Sequence, residues 1–324
     1  MANKKREEPW VEKYRPKRLN QFVGQVEVIK KITPMIEKGE LRNMTFYGET
    51  PGTGKTSLAH TIGHELFGGE YNFCVTEFNA SDNTSVDFVR TELKEIISYQ
   101  VMGGRDYRLM IVDEADGWGK AAQQACRRII EDSQRNTRWI LVANRLNKII
   151  PPLQSRCPPV FFAPLPVRDM ITKLQEIVEK EGLKCENGVL KKIAEYSGGS
   201  LREAIATLDI LHFKRRKVMI KDIETGQTGL GKIVEMYSQA KKGRFVTARK
   251  TAIDIMKEFG LSISTIIEKL EPIVINDDIS PPRKAKIVSE MAKSNLALSS
   301  TPSELLELSG LFARVALVMK GGKN

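Results

Sequence analysis

Cysteine is scarce. The four cysteines, at 74, 126, 157 and 185, form no Cys-x-x-Cys pair, and only three histidines accompany them. Neither a disulfide framework nor a zinc template is expected from such a set, and a reducing compartment is the default. No stretch approaches the roughly 18 consecutive apolar residues of a membrane span. The start, MANKKREEPW, is basic but lacks the apolar core of a secretory leader. Internal repeats and low-complexity tracts are missing as well. These shortages disfavour membrane, secreted disulfide-rich, collagen-like and disordered classes. What the chain does have is 324 residues, 41% apolar and 28% charged, enough for about two or three domains. Its 51 Lys and Arg against 40 Asp and Glu leave a net charge of +11. That excess is compatible with a polyanionic partner and does not by itself establish one. The basic clusters Lys4–Arg6, Lys214–Lys217, Lys241–Arg244 and Arg283–Lys286 read first as solvated surface.

Texture divides the chain. Between residues 43 and 163, short apolar runs at Met44–Tyr47, Cys74–Asn79, Leu109–Asp113, Trp139–Ala143 and Val160–Phe162 alternate with helical patterns. Such runs predict buried strands of a parallel sheet, an α/β class. Ala163-Pro164-Leu165-Pro166 is a break that suits an extended linker. Beyond it the pattern is helical, with Ser197-Gly198-Gly199-Ser200 capping a helix over Leu201–Lys214.

The strongest local signal is Gly48-Glu49-Thr50-Pro51-Gly52-Thr53-Gly54-Lys55-Thr56-Ser57, set between an apolar strand and a helix. That context is what a phosphate-binding loop needs. Pro51, Gly52, Thr53, Gly54, Lys55, Thr56 and Ser57 are the expected nucleotide contacts. Glycines let the backbone N–H groups turn inward, and the helix start adds its positive dipole end. Lys55 is expected at the β- and γ-phosphates and Thr56 on Mg²⁺. The strict loop pattern has glycine at 49; this chain has Glu49, expected to point away from the nucleotide. Farther on, Arg108–Asp116 is an apolar strand ending in Asp113-Glu114-Ala115-Asp116. Asp113 suits Mg²⁺, and Glu114 suits orienting and deprotonating a water. A lone Asp-Glu is more often a surface turn; the buried strand and the upstream loop reverse that reading. Asp-Glu-Ala-Asp also occurs in RNA helicases, but the region after 163 has too few strand signals for their second domain.

Asn144 ends the next strand and suits the γ-phosphate or the attacking water, as an alternative to a plain turn residue. Arg156, in Leu153-Gln154-Ser155-Arg156-Cys157, is expected to reach a neighbouring subunit's nucleotide. Arg202, in the first turn of the helix at 201, is expected to fold over the phosphates. Surface ion pairs are the bland alternative for both arginines.

Together with Trp10-Val11-Glu12-Lys13-Tyr14-Arg15-Pro16, Phe22-Val23-Gly24-Gln25 and Phe78-Asn79-Ala80-Ser81-Asp82, these motifs resemble the replication factor C small subunits, AAA+ clamp loaders of archaea and eukaryotes. Ala122-Gln123-Gln124-Ala125, Ser155-Arg156-Cys157 and Gly199–Arg202 extend the likeness. The resemblance implies an AAA+ P-loop NTPase fold: a RecA-like domain over residues 1–163, a helical lid over 164–228 and an all-α collar over 229–324. It implies that Glu12, Tyr14, Arg15, Val23 and Gly24 line the adenine and ribose, and that Asn79 holds Glu114 inactive until DNA arrives. Arg90 and, more weakly, Lys120 would face DNA, and Ile96–Tyr99 would touch the clamp. A helical pair on a solvated surface is the bland reading of Arg90. The implied cofactors are ATP and Mg²⁺. The implied partners are a sliding clamp, a clamp-loader large subunit, other small subunits in a hetero-pentamer and primer–template DNA, with no membrane. The location would be cytoplasmic, by the nucleoid, in an archaeon and nuclear in a eukaryote. The resemblance implies ATP-driven opening and loading of the clamp. The alternatives are a non-catalytic ATP-binding scaffold that donates Arg156, and another AAA+ DNA motor. Gly117-Trp118-Gly119-Lys120 departs from the family's usual Ser-Met-Thr-like turn.

Overall fold

The computed structural model describes residues 8–82, 85–99, 105–214, 217–224, 229–298 and 300–320. The cluster Lys4–Arg6, residues 215 and 216 of the second basic cluster, the expected boundary at 228 and the last four residues lie outside these. Two compact units emerge: Glu12–Pro166, and Val167–Asn324 together with the N-terminal stretch that ends at Val11.

The first unit is a five-stranded parallel sheet. Its strands are β1 (Met44–Tyr47), β2 (Val75–Asn79), β3 (Arg108–Asp113), β4 (Thr137–Ala143) and β5 (Pro159–Phe161), in the order β2-β3-β4-β1-β5. Side chains alternate between the two faces of a strand, and both faces here are apolar. Leu109 and Ile111 of β3 join Ile140 and Val142 of β4 on one face, with Phe46 and Phe162. Met110 and Val112 join Trp139 and Leu141 on the other. Helices α1 (Val26–Glu37) and α2 (Lys55–Phe67) cover the first face through Ile32, Leu58 and Ile62. Helix α3 (Lys120–Asp132) covers the second through Ala122, Cys126 and Ile130. Each fully buried Leu, Ile or Val contributes about 1.5–3 kcal/mol, so the two faces carry most of the unit's stability. The sheet extends beyond the apolar runs. Arg108 pairs with Thr137, one and two residues ahead of the runs that start at Leu109 and Trp139. Pro159 opens β5 because that strand is an edge, hydrogen-bonded to β1 alone among the described strands, where a missing N–H is tolerated.

In the second unit α4 (Val167–Lys180), α5 (Val189–Tyr196) and α6 (Leu201–Lys214) are followed by α7 (Gly229–Lys241), α8 (Phe245–Phe259), α9 (Ile263–Ile275), α10 (Pro281–Leu298) and α11 (Glu304–Lys320). Ser200 caps α6 through its hydroxyl and the Glu203 N–H (3.3 Å). The C-terminal helices share one core that includes Ile233, Met236, Ile266, Leu270, Leu311 and Phe312. Gly198 lies so close to Pro272 of α9 that a Cβ would sit 2.9 Å from its Cγ, and Lys269 pairs with Glu203 of α6 at 2.7 Å. A short parallel pair, Lys184–Cys185 with Lys217–Val218, was not anticipated from sequence. Trp10 also belongs to this unit: it is 6% exposed, stacks on His212 at 4.9 Å and donates its backbone N–H to Asp209 Oδ2 (3.1 Å).

Candidate nucleotide-binding site

Loops leaving β1 and β4, which are neighbours in the sheet, run off in opposite directions: the chain goes from β1 to the far edge at β2, and from β4 across β1 to β5. A crevice at the carboxyl ends of such strands is where α/β sheets bind ligands. Gly48, Asn79, Asp113 and Asn144 all end or follow strands at that edge.

Between β1 and α2 the loop turns through Gly52 (φ 71°) and Gly54 (φ 99°), both left-handed. Thr53 is 1% exposed. The Lys55 ammonium, 7% exposed, donates to the Gly48 carbonyl (2.7 Å) and the Thr50 carbonyl (3.1 Å). Burial pushes its pKa down, and the charges of Asp113 and Asp116 oppose that shift. A buried cation whose hydrogen bonds run to neutral carbonyls is suited to an incoming anion. Thr56 donates its hydroxyl to Asp113 Oδ2 (2.9 Å); this hydroxyl–carboxylate pair is a donor set that fits Mg²⁺. Pro51 and Glu49 are exposed, and the Ser57 carbonyl is taken by the Thr61 hydroxyl.

Glu114 has left-handed backbone (φ 52°) and is exposed. Its N–H bonds Asp113 Oδ1 (2.8 Å) and its carbonyl accepts from Gly117 (2.7 Å). Asn79 is in register with Asp113 across β2 and β3; its side-chain oxygen accepts the Ser81 N–H (2.9 Å). Asp116 receives the N–H groups of Asn144 (3.2 Å) and Arg145 (3.1 Å), tying the tip of β4 to the turn after β3. On the other side of α2, Pro16 accepts from Thr61 (2.9 Å) and the Leu19 N–H bonds Glu65 (2.9 Å). The stretch Glu12–Gly24, with Glu12 paired to Arg15 at 2.8 Å and Tyr14 half-buried, thus packs along α2, and its Phe22 ring reaches Gly54 of the phosphate loop. Val23 and Gly24 are half-buried.

Residues 44–165 match the family of ATPases associated with various cellular activities, 172–212 the RCF1/5-like AAA+ ATPase lid domain, and 231–314 the Replication factor C C-terminal domain. The chain is 34% identical to the replication factor C small subunit of Thermofilum pendens, covering 97% of this chain and 98% of that one. With the Archaeoglobus fulgidus replication factor C small subunit the identity is 33%, covering 97% and 98%. With a probable replication factor C subunit 5 of Dictyostelium discoideum it is 34%, covering 94% and 89%. The chain belongs to the replication factor C small-subunit family. Among solved structures it is similar in fold to Thermotoga maritima RuvB, a Holliday junction branch migration motor, at 19% identity and a TM-score of 0.52 over 92% of this chain and 91% of that one.

Within this replication factor C-type unit, Arg156 is half-buried, ion-paired through Nη2 with Glu131 of α3 and bonded through Nη1 to the Pro152 carbonyl (2.7 Å). Arg90, in a π-helical stretch over Val89–Leu93, and Lys120, first in α3, are both exposed. Arg202 is exposed in the first turn of α6, in the other unit. Within Ile96–Tyr99, the segment the resemblance places against the clamp, Ile97 is 9% exposed and packs in the core with Leu93, while Tyr99 is 58% exposed.

Three residues that the sequence places only inside longer motifs, with no role of their own, contribute contacts. Arg108, 8% exposed, donates to the carbonyls of Ile96 (2.6 Å) and Tyr99 and so caps the segment Ile96–Tyr99. Phe22 sits against Gly54, whose Cβ would meet its Cζ at 2.6 Å. Gln123, 1% exposed, bonds Trp118 (2.8 Å), Lys148 (2.9 Å) and Ile150 (2.8 Å). None leaves a local periodic signal. The family departure at Gly117-Trp118 has a packing reason: Trp118 is 3% exposed in the core, and a Cβ on Gly117 would lie 2.9 Å from the Ser81 hydroxyl.

Proposed function

We propose that the chain is an ATP-hydrolysing small subunit of a DNA clamp loader, in which ATP binding and hydrolysis drive opening of a sliding clamp and its loading onto primer–template DNA. The observation that carries this is the buried Lys55 beside the Thr56–Asp113 pair, at the crevice end of the sheet. Loop N–H groups and Lys55 hold the β- and γ-phosphates, with Pro51–Ser57 around them. Glu12, Tyr14, Arg15, Val23 and Gly24 flank the adenosine. Mg²⁺ on Thr56 and Asp113 would neutralise phosphate charge during transfer. Glu114 takes a proton from the attacking water. The water oxygen bonds the γ-phosphorus as the bond to the bridging oxygen breaks, and ADP leaves. Asn144 orients the water, Arg202 acts on the same nucleotide, and Asn79 restrains Glu114 until DNA arrives.

Arg156 leaves Glu131 to reach the nucleotide of the next subunit in a hetero-pentamer that includes a large subunit. Arg90 and Lys120 meet DNA through phosphates, so binding is salt-sensitive and nearly sequence-blind. ATP favours the closed assembly and thereby shifts its population. No helix among the described residues is long and apolar enough to cross a membrane. The site of action would be the cytoplasmic nucleoid in an archaeon or the nucleus in a eukaryote.

Lys55→Ala is expected to weaken ATP binding at least about 100-fold, roughly 2.7 kcal/mol, in a fluorescent-nucleotide titration. Arg156→Ala is expected to bind ATP normally and lose DNA-stimulated phosphate release in the assembled complex. Normal release by Arg156→Ala refutes the in-trans role. A parent complex that binds ATP without any phosphate release reduces the chain to an ATP-binding scaffold that donates Arg156.

A further inference from the structure

Gln25 ends the Phe22–Gln25 motif, and no step above uses it. Its backbone is left-handed (φ 50°, ψ 33°) at the start of α1. Glu114 is the other non-glycine residue with positive φ among those described. Side chains other than Gly, Asn and Asp rarely accept this conformation, so something at Gln25 holds it there. Its amide supplies the reason. Nε2 donates to the Ala163 carbonyl at 2.7 Å, 138 residues away, and reaches the Thr53 carbonyl of the phosphate loop at 3.5 Å. Asparagine, one methylene shorter, would not span the two acceptors; glycine would relax the backbone and reach neither.

The two bonds differ in quality. At 3.5 Å the Thr53 contact stands at the outer limit for a hydrogen bond, so a shift of half an ångström in the loop makes or breaks it. The Ala163 bond is short and holds the exit from β5. Ala163 opens Ala163-Pro164-Leu165-Pro166, after which the second unit begins at Val167. Both prolines have locked φ, and Leu165 is 5% exposed. A displacement of Ala163 is therefore passed along the linker instead of being absorbed in it.

We propose that Gln25 is a positioning residue that couples the phosphate loop to the Ala163–Pro166 linker, so that nucleotide in the loop changes the orientation of the helical unit. The proposal rests on the ATP reading above. Two readouts test it: affinity for a fluorescent ATP analogue, and energy transfer between dyes on each side of Pro166. The dyes go on Lys38→Cys and Glu179→Cys, both exposed in the native chain, with Cys185→Ser to remove a competing thiol.

In the parent, ATP is expected to change transfer efficiency. Gln25→Gly relieves the left-handed backbone and should melt no lower than the parent. It should bind the analogue within about threefold of the parent, lose the ATP-dependent transfer change, and lower kcat about tenfold at unchanged KM in the assembled complex. Gln25→Glu keeps the length but turns a carboxylate on two carbonyls and should behave the same way. A full transfer change in both variants overturns the coupling. So does a large loss of affinity in Gln25→Gly, which would make Gln25 a direct ligand. A parent that binds no analogue sinks the ATP reading itself, a distinguishable result; a parent that binds it with no transfer change sinks the coupling alone.

Discussion

At Gly48 the missing side chain serves packing, not turning. A Cβ there would sit 2.3 Å from the Phe162 carbonyl oxygen, and Phe162 is held in place by its N–H bond to Tyr47 (2.7 Å). Backbone cannot swing aside as a side-chain tip can. Gly48→Ala is expected to destabilise the unit by about 3 kcal/mol, at the upper end of overpacking costs, in urea unfolding. Gly39, left-handed at φ 67° with open space around it, is the control: Gly39→Ala should cost only about 1 kcal/mol, the backbone penalty alone. This also accounts for the shifted loop pattern. The chain needs glycine at 48 where the Phe162 backbone, just past the parallel neighbour β5, closes against it, and Glu49 is exposed beyond it. The positions of Lys55, Thr56, Asp113 and Asn144 at the ends of strands and the start of α2 were legible because a strand, a turn and a helix announce them locally. The contacts of Gln25, Phe22 and Arg108 were not, although all three stand in quoted motifs, since each acts through a contact far away in sequence or through a ring laid on a glycine.

Among elements, the strands were read correctly because both faces of the sheet are buried and its strands are largely continuous apolar runs, and were misjudged by one or two residues at the ends of β2 to β5. The ladder between Arg108 and Thr137 depends on backbone pairing, which polar residues join without a hydrophobic signal. The two-residue pair at Lys184–Cys185 is too short to show a period at all. Helices α10 and α11 illustrate a different control. Glu307 of α11 accepts from the buried Ser294 hydroxyl (2.8 Å) and from Arg314 (2.6 Å). These two bonds hold its carboxyl below the ordinary value of 4.5. A carboxyl with a lowered folded-state pKa stabilises fully above the ordinary value, and that contribution fades as pH falls through the lowered one. The helical unit should therefore lose stability as pH falls below about 4.5, the ordinary value, through this group. Glu307→Gln is expected to cost about 1.5–3 kcal/mol at pH 7, as for hydrogen bonds to charged groups. It should also flatten the acid limb, read by helical circular dichroism during urea titrations from pH 7 to 3.

For the whole molecule, each unit encloses its own apolar core, and domains built that way unfold as separate steps. Trp118 and Trp139 report on the sheet unit, and Trp10 on the helical one. In a Trp10→Phe chain, fluorescence should therefore follow the sheet unit alone. ATP at about 100 times its Kd should shift that transition by about 2.7 kcal/mol while leaving the helical circular dichroism step of the other unit nearly in place. A fluorescence transition indifferent to ATP would count against the nucleotide site.

Synthesis runs from the N-terminus, and the sheet order makes that direction matter. The strand that feeds the phosphate loop bonds Ile140 and Pro159 as partners of Met44 and Thr45, so β1 has no neighbour until nearly half the chain has left the ribosome. Trp10 waits longer still, because its stacking partner is His212. Residues made well before their partners are thus among the last to settle, and an unpaired apolar strand and an undocked indole are what a nascent-chain chaperone would meet.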